Sequence, residues 1–250
     1  MINCKNITVA LNGQAILQNI SCNIPKSAFT AIIGKNGSGK TTLAGCIGKQ
    51  IKYTGSITVD SVDLKEISTG DLSKKISYLP QVLPAPDVTV EELVSFGRMP
   101  QLGFQKKLTQ EDLLAIETAI QKSQLQDFRI RKVSSLSGGE RQKAFLAMTL
   151  AQETDILLLD EPNVSMDASS QLQFLELLKS LSMSGKTVVA ILHDLSLACE
   201  FADHIIIMDS GKCVFSGSKN LCLSQNMIED IFCVNRYDAK INDITRLFFR

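Results

Sequence analysis

The sequence predicts an α/β protein with a parallel-sheet core covered by helices on both faces, an antiparallel β layer and an inserted α-helical subdomain. Two observations support the core. Strand-length runs that are almost continuously apolar indicate buried strands at residues 28–33, 76–79, 156–159 and 188–192. Each run is followed by a loop or by polar residues from which a helix can start. The long stretch between the second and third runs accommodates the helical insertion.

The antiparallel layer is predicted at the start of the chain. Residues 7–10 and 20–24 alternate apolar with polar side chains, and Asn12 and Gly13 between them are typical turn residues. A second hairpin is predicted near the end of the core. Apolar residues at 205–208 and 213–215 flank a turn that contains Gly211.

Two helix-start signals mark the insertion. Thr89 precedes Glu92 by three residues, and Thr109 precedes Asp112 by three, which is the spacing of a capping box. We therefore predict one domain over residues 1–250. Its core comprises about 1–81 and 151–235, its helical subdomain about 82–150, and a short C-terminal extension about 236–250.

Composition limits the partners that we expect. Lys+Arg and Asp+Glu are both 26, so no net charge attracts the chain to nucleic acid or to an anionic membrane surface. The apolar runs are far shorter than the roughly 20 residues of a spanning helix. The N-terminus lacks the features of a secretory signal, and the 7 cysteines are scattered. We expect a cytosolic protein with reduced thiols, no nucleic-acid partner, and membrane contact only through another protein.

A phosphate-binding loop is predicted between the strand at 28–33 and the next helix. The pattern is a glycine, four residues, then Gly-Lys-Thr. Its glycines and the helix N-terminus turn backbone N–H groups towards a polyphosphate, Lys40 reaches the β and γ phosphates, and Thr41 holds Mg²⁺. The predicted binding residues are Gly34, Lys35, Asn36, Gly37, Ser38, Gly39, Lys40, Thr41 and Thr42.

Two carboxylates end the apolar run at 156–159. Ligands bind at the carboxyl ends of parallel strands, so Asp160 is a candidate Mg²⁺ ligand and Glu161 a candidate base for an attacking water. A solvated loop is the alternative for two such acids considered alone. The phosphate loop favours the catalytic interpretation.

A third motif begins at Ser137. Ser137, Gly138 and Gly139 precede a helical pattern, and this arrangement offers a hydroxyl and exposed N–H donors to an anion. An ordinary helix N-cap is the alternative.

These motifs, together with Gln81, Asp167 and His193, occur in the order found in ABC ATPase subunits, which the chain resembles along nearly its whole length. The resemblance implies a RecA-like P-loop NTPase fold and a homodimer that binds two ATP molecules with Mg²⁺. It implies that Ser137, Gly138 and Gly139 contact the partner's ATP and that Asp167 communicates across the dimer. Gln81 would sense Mg²⁺ and the lytic water, and His193 would contact the γ-phosphate.

The sequence departs from the family pattern at two places. Leu11 stands where the family usually stacks an aromatic side chain on adenine, so we expect a reduced preference for ATP over GTP. The loop after Pro162 reads Asn163-Val164-Ser165-Met166 before Asp167, without the usual Ser-Ala-Leu. We expect the second departure to leave the reaction unchanged.

Residues 88–100 and 146–152 are similar to segments of importers of iron chelates, haem and vitamin B12. This resemblance implies a peripheral subunit at the cytoplasmic face of the cell membrane, under two permease subunits and supplied by an extracytoplasmic binding protein. The alternative is a soluble ABC ATPase of iron–sulfur assembly or repair. A small-molecule kinase with the same phosphate loop would leave Ser137 to Gly139 unexplained.

Overall fold

The computed structural model describes residues 1–11, 13–102, 107–163, 166–241 and 244–250. Their contacts group them into a first unit, Met1–Ile67 with Leu178–Arg250, and a second unit, Ser68–Leu177. The strands are β1 Ile2–Leu11, β2 Gln14–Ile24, β3 Phe29–Gly34, β4 Thr54–Val59, β5 Val62–Asp63, β6 Ile76–Leu79, β7 Ile156–Asp160, β8 Thr187–Ile191, β9 His204–Asp209, β10 Lys212–Ser218, β11 Arg236–Ile241 and β12 Ile244–Phe249. The α-helices are α1 Lys40–Ile47, α2 Thr69–Ser73, α3 Val90–Phe96, α4 Gln110–Lys122, α5 Gly138–Ala151, α6 Ala168–Met183, α7 Leu195–Phe201, α8 Lys219–Ser224 and α9 Met227–Phe232.

The first unit contains the predicted antiparallel layer. Its strands lie in the order β2-β1-β4-β5. Alternate residues of β1 and β2 are buried on either side of an irregularity at Asn6 and Asn19, as the period of a half-buried strand requires. Across the ladder Cys4 lies opposite Cys22, and Ile7 lies opposite Ile20. The layer therefore forms where the alternating pattern predicted it.

Parallel strands form the centre of the first unit. β3 pairs in parallel with β8 on one side and with β9 on the other. All residues of β3 and β8 are buried, which explains their continuous apolar character. β10 returns antiparallel to β9 through the predicted turn at Gly211. The α/β fold class is confirmed.

The second unit joins a strand pair to a helical segment. β6 and β7 are parallel. Both predicted capping boxes are present, since Glu92 and Asp112 accept from the backbone N–H groups of Thr89 and Thr109. α3 and α4 lie within the segment 82–150, and α5 ends one residue beyond it, at Ala151. The boundaries of that segment as a subdomain stay a prediction.

A buried arginine connects the helices of this segment. Arg98 is 6% exposed. Its Nε donates to Asp112 Oδ1 at 2.7 Å, and its Nη1 donates to the Ala151 carbonyl at 2.7 Å and to Glu153 Oε2 at 2.8 Å. Since a buried charge is tolerated only when it is paired, these contacts fix the end of α3 against α4 and α5.

The residues assigned to a C-terminal extension form the hairpin β11–β12. Arg246 of β12 makes an ion pair of 3.1 Å with Glu200 of α7. All seven cysteines fall among the described residues and are free thiols, as expected. Within the described part of the chain, no helix combines the length and the apolar character that crossing a membrane requires.

Candidate functional site

The phosphate loop follows a fully buried strand. β3 ends at Gly34, and α1 begins at Lys40. Gly39 at the N-cap has φ 98°, a left-handed conformation that glycine adopts without a steric penalty. A Cβ atom on Gly34 would lie 2.2 Å from the carbonyl oxygen of Met208. Glycine is therefore required at both ends of the loop.

Two buried polar side chains line this loop. Lys40 is 5% exposed, and its Nζ donates to the carbonyl oxygens of Gly34 at 2.9 Å and Lys35 at 3.1 Å. Ser38 is 2% exposed, and its Oγ finds no hydrogen-bond partner among the residues that the structure describes. A buried hydroxyl without a partner is unfavourable, so a ligand oxygen at this place would satisfy it. This fits a phosphate in the loop.

The other loop positions agree with that arrangement. Lys35, Asn36 and Gly37 are exposed, and Thr41 and Thr42 follow Lys40 in the first turn of α1. The N–H groups of a helix's first turn have no partner within the helix, and they attract anions.

His193 lies at the same edge of the parallel strands as the phosphate loop. Ile191 of β8 is in register with Ile32 of β3, and the Leu192 N–H donates to the Ile32 carbonyl at 3.1 Å. Since β3 and β8 are parallel, their carboxyl ends lie together. His193 follows β8 and is exposed, so the first unit places it on the side of the phosphate loop.

The second unit carries the acidic pair at the end of β7. Asp160 is 1% exposed, and Tyr78 donates its hydroxyl to Asp160 Oδ2 at 3.4 Å. Burial, and then the negative charge of Asp160, raise the pKa of Tyr78 well above its ordinary range. The tyrosine therefore stays protonated as a donor to this carboxylate.

Glu161 is held at both its side chain and its backbone. Gln81 donates from Nε2 to Glu161 Oε2 at 2.6 Å. Gln142 donates from Nε2 to the Glu161 carbonyl at 3.3 Å. Glu161 has φ 50°, which is uncommon for a residue with a side chain. The structure thus brings together Gln81 and Glu161, which the sequence places 80 residues apart.

Ser137, the first residue of the third motif, is the N-cap of α5. The Ser137 N–H donates to Glu140 Oε2 at 2.8 Å, and the Glu140 N–H donates to Ser137 Oγ at 3.3 Å. The first of these bonds lowers the pKa of Glu140, so the box is intact when that carboxylate is ionised. Gly138 and Gly139 occupy the first turn of α5, where N–H groups are available to an anion.

A cavity of about 430 Å³ opens beside this helix tip. Asp167 lies on it and accepts from Ser170 N at 3.0 Å and Ser170 Oγ at 2.8 Å, which lowers the pKa of Asp167. Sequence reasoning missed Lys143 and Ser170. Lys143 lies four residues after Gly139 on α5, so helical spacing was the available signal. The lining residues are Ser137, Gly138, Gly139, Glu140, Lys143, Met166, Asp167 and Ser170.

Two departures from the family pattern have different outcomes. Leu11 is 47% exposed at the end of β1, where it pairs with Gln14. Its side chain is therefore available for contact. Of the altered loop before Asp167, Val164 and Ser165 lie outside the described residues.

Comparison with known proteins gives a consistent result. A family model described as ABC transporter matches residues 17–164. The chain is 36% identical over 231 residues to the ferric enterobactin transport ATP-binding protein FepC of Escherichia coli, covering 91% of this chain and 85% of that protein. It is 31% identical over 243 residues to the iron(3+)-hydroxamate import ATP-binding protein FhuC of Bacillus subtilis, covering 96% and 89%.

Solved structures agree. The chain is similar to the ATP-binding cassette MJ0796, in a dimeric post-hydrolysis state bound to ADP and Pi, with TM-score 0.77 and 27% identity, covering 88% of this chain and 99% of that chain. A nucleotide-free ATP-binding cassette gives TM-score 0.81 at 22% identity, covering 93% and 98%. The second likeness concerns the fold alone.

Proposed function

The chain belongs to the ABC transporter family of ATP-binding proteins, which are ATPases, and from this premise we propose that it is the motor subunit of a membrane importer. The importer role rests on the named relatives, and the observation that carries the hydrolytic role is the hydrogen bond between Gln81 and Glu161. It fixes a carboxylate at the end of a buried strand, as general-base catalysis requires.

We propose that ATP binds with its phosphates on the amides of residues 34–42. The unpartnered Ser38 hydroxyl and the glycines of the loop support this placement. Lys40 would leave its carbonyl partners for the β and γ phosphates, because an ion pair with phosphate is stronger than a bond to a neutral carbonyl.

The residues present fit Mg²⁺. Its preferred ligands are oxygens, and in nucleotide sites it takes few from the protein and the others from phosphates and water. Thr41, Asp160 and Gln81 would hold the ion. When bound, it would neutralise charge on the phosphates.

Hydrolysis would then depend on Glu161 as the base that takes a proton from the attacking water. Gln81 would orient Glu161 and that water, and His193 would stabilise charge on the γ-phosphate. The hydrogen bond of 2.6 Å restricts the Glu161 carboxylate before water arrives. Such preorganisation lowers the barrier without reorganisation during the reaction.

We propose that two copies of the chain close over two ATP molecules. Ser137, Gly138 and Gly139 of one copy would contact the γ-phosphate held by its partner, and Asp167 would sense that contact. The cavity that joins the helix tip to Asp167 supports this assignment. ATP would favour the closed dimer and hydrolysis would release it, which makes a nucleotide-driven clamp.

The clamp would act on two integral-membrane permease subunits at the cytoplasmic face of the cell membrane. Val82, one residue after Gln81, is 81% exposed, and the helical segment exposes Met99 and Leu114 at 65% and 68%. We propose that these apolar side chains contribute to the contact with the permease. The transported class would be an iron siderophore, haem or cobalamin, delivered by an extracytoplasmic binding protein. The names of FepC and FhuC support the siderophore class.

The alternative is a soluble ABC ATPase of iron–sulfur assembly or repair. It is disfavoured because FepC and FhuC are named as transport and import proteins. Affinity purification from detergent-solubilised membranes tests the choice. We expect ATPase activity and a co-purified permease with many membrane-spanning helices. A stable complex with soluble proteins alone would favour the alternative.

A further inference from the structure

Gln142 is a buried side chain for which the proposed hydrolysis has no role. It lies on α5, five residues after Ser137, and is 4% exposed. Its Nε2 donates to the carbonyl oxygen of Glu161 at 3.3 Å. Because burying an amide is unfavourable unless it is bonded, this contact explains a polar residue at this place in the helix.

The residue that receives this bond has a strained backbone. Glu161 has φ 50°, in the left-handed region that residues with a side chain rarely adopt. Such a conformation persists where surrounding contacts over-determine it. Gln142 holds the carbonyl of Glu161, and Gln81 holds its carboxylate. Loss of either contact leaves Glu161 with more orientations.

We propose that Gln142 is a positioning residue that couples the tip of α5 to Glu161. A phosphate bound by the N–H groups of Gly138 and Gly139 would restrain α5. Gln142 lies on the next turn of the same helix and therefore carries that restraint to the Glu161 backbone. In the proposed dimer the phosphate belongs to the partner's ATP, so Gln142 would link the two nucleotide sites. This inference rests on the proposed function.

The test replaces Gln142 by a residue of similar size that cannot donate. Gln142→Met should lower kcat for ATP hydrolysis about fivefold to tenfold, the effect of losing one orienting hydrogen bond. KM for ATP should stay unchanged, because Gln142 is buried and is not among the proposed nucleotide-binding residues. Cooperativity in ATP, measured as the Hill coefficient, should fall because the link between sites is lost.

Thr149→Val is the matched control. Thr149 lies on the same helix, is 1% exposed and donates to the Phe145 carbonyl at 2.8 Å. This variant also removes one buried hydrogen bond from α5, but Glu161 is not its partner. It should keep both kcat and the Hill coefficient.

The outcomes separate this inference from the proposed function. Absence of ATP hydrolysis by the wild-type protein would contradict the proposed function itself. Normal hydrolysis by the Glu161→Gln variant would also contradict it. With those two results as expected, a kcat of Gln142→Met equal to the wild-type value overturns the role of Gln142. An equal loss in Thr149→Val also overturns it. A lower kcat with an unchanged Hill coefficient overturns the link between sites.

Discussion

The side-chain amide of Gln81 donates a hydrogen bond of 2.6 Å to the carboxylate of Glu161. Each residue follows the end of a strand, and β6 and β7 are parallel neighbours with Leu79 opposite Leu159. Parallel pairing therefore brings the proposed sensor and the proposed base together without any long-range motif in the sequence. Single substitutions can test the function of this pair.

Glu161→Gln should bind ATP normally and lose turnover. The amide keeps the size of the side chain but cannot accept the proton of the attacking water, and general-base catalysis contributes about 10²–10⁴-fold. Single-turnover hydrolysis and equilibrium binding of labelled ATP measure the two effects. Normal hydrolysis in this variant would remove Glu161 from the proposed role.

Gln81→Ala should lower kcat about tenfold and raise the Mg²⁺ concentration needed for half-maximal activity, since Gln81 orients Glu161 and is a proposed ligand of the ion. A titration of Mg²⁺ at saturating ATP measures both changes. Val82→Ala, at the exposed neighbour, should leave them unaltered. An unchanged Mg²⁺ dependence in Gln81→Ala would argue against Gln81 as a ligand.

Leu11→Tyr should raise the preference for ATP over GTP. The wild-type side chain is exposed but offers no aromatic face on which adenine could stack, and such stacking is worth about 1 kcal/mol. A competition assay with labelled ATP gives the ratio of affinities for both proteins. Strong ATP selectivity of the wild-type protein would contradict the expectation drawn from Leu11.

Asp112→Asn should lower the free energy of unfolding by about 2–4 kcal/mol, because it leaves the buried Arg98 without its buried partner. Glu153→Gln removes the other carboxylate of Arg98. Glu153 is 61% exposed at its side chain, so solvent screens the pair and we expect a loss below about 1 kcal/mol. Urea denaturation monitored by circular dichroism compares the two variants. Equal losses would show that burial does not set the strength of these ion pairs.

The same carboxylate predicts a dependence on pH. The Thr109 N–H first, and then Arg98, hold the pKa of Asp112 below its ordinary value. Its contribution to stability is therefore complete above about pH 3.9, the ordinary value of an aspartate, and is lost as pH falls through the lower folded-state pKa. Asp112→Asn should unfold with a smaller dependence on pH in this acidic range.

The sequence predicted what is encoded locally. The apolar runs located β3, β6, β7 and β8, because a strand buried on both faces needs no polar side chain. Thr89 and Thr109 located two helix starts, because a capping box involves only neighbouring residues. The glycine pattern located the phosphate loop for the same reason.

Contacts between distant segments escaped prediction. Gln142 lies only five residues after Ser137, but its bond to Glu161 depends on how α5 packs beside the end of β7. Ser170 shares a cavity with Ser137 because α6, which carries Ser170, begins beside the start of α5. Spacing along one element cannot give such neighbours.

A side chain at Gly34 would meet the backbone of Met208, and among the described residues β3 pairs with β8 and β9, which both follow residue 186. The phosphate loop appears early in the chain, but its supporting wall is synthesised about 170 residues later. A nascent chain on the ribosome would therefore carry the complete loop motif for most of its synthesis without a surface that holds nucleotide. The wall behind the loop would be complete only once β9 has left the exit tunnel.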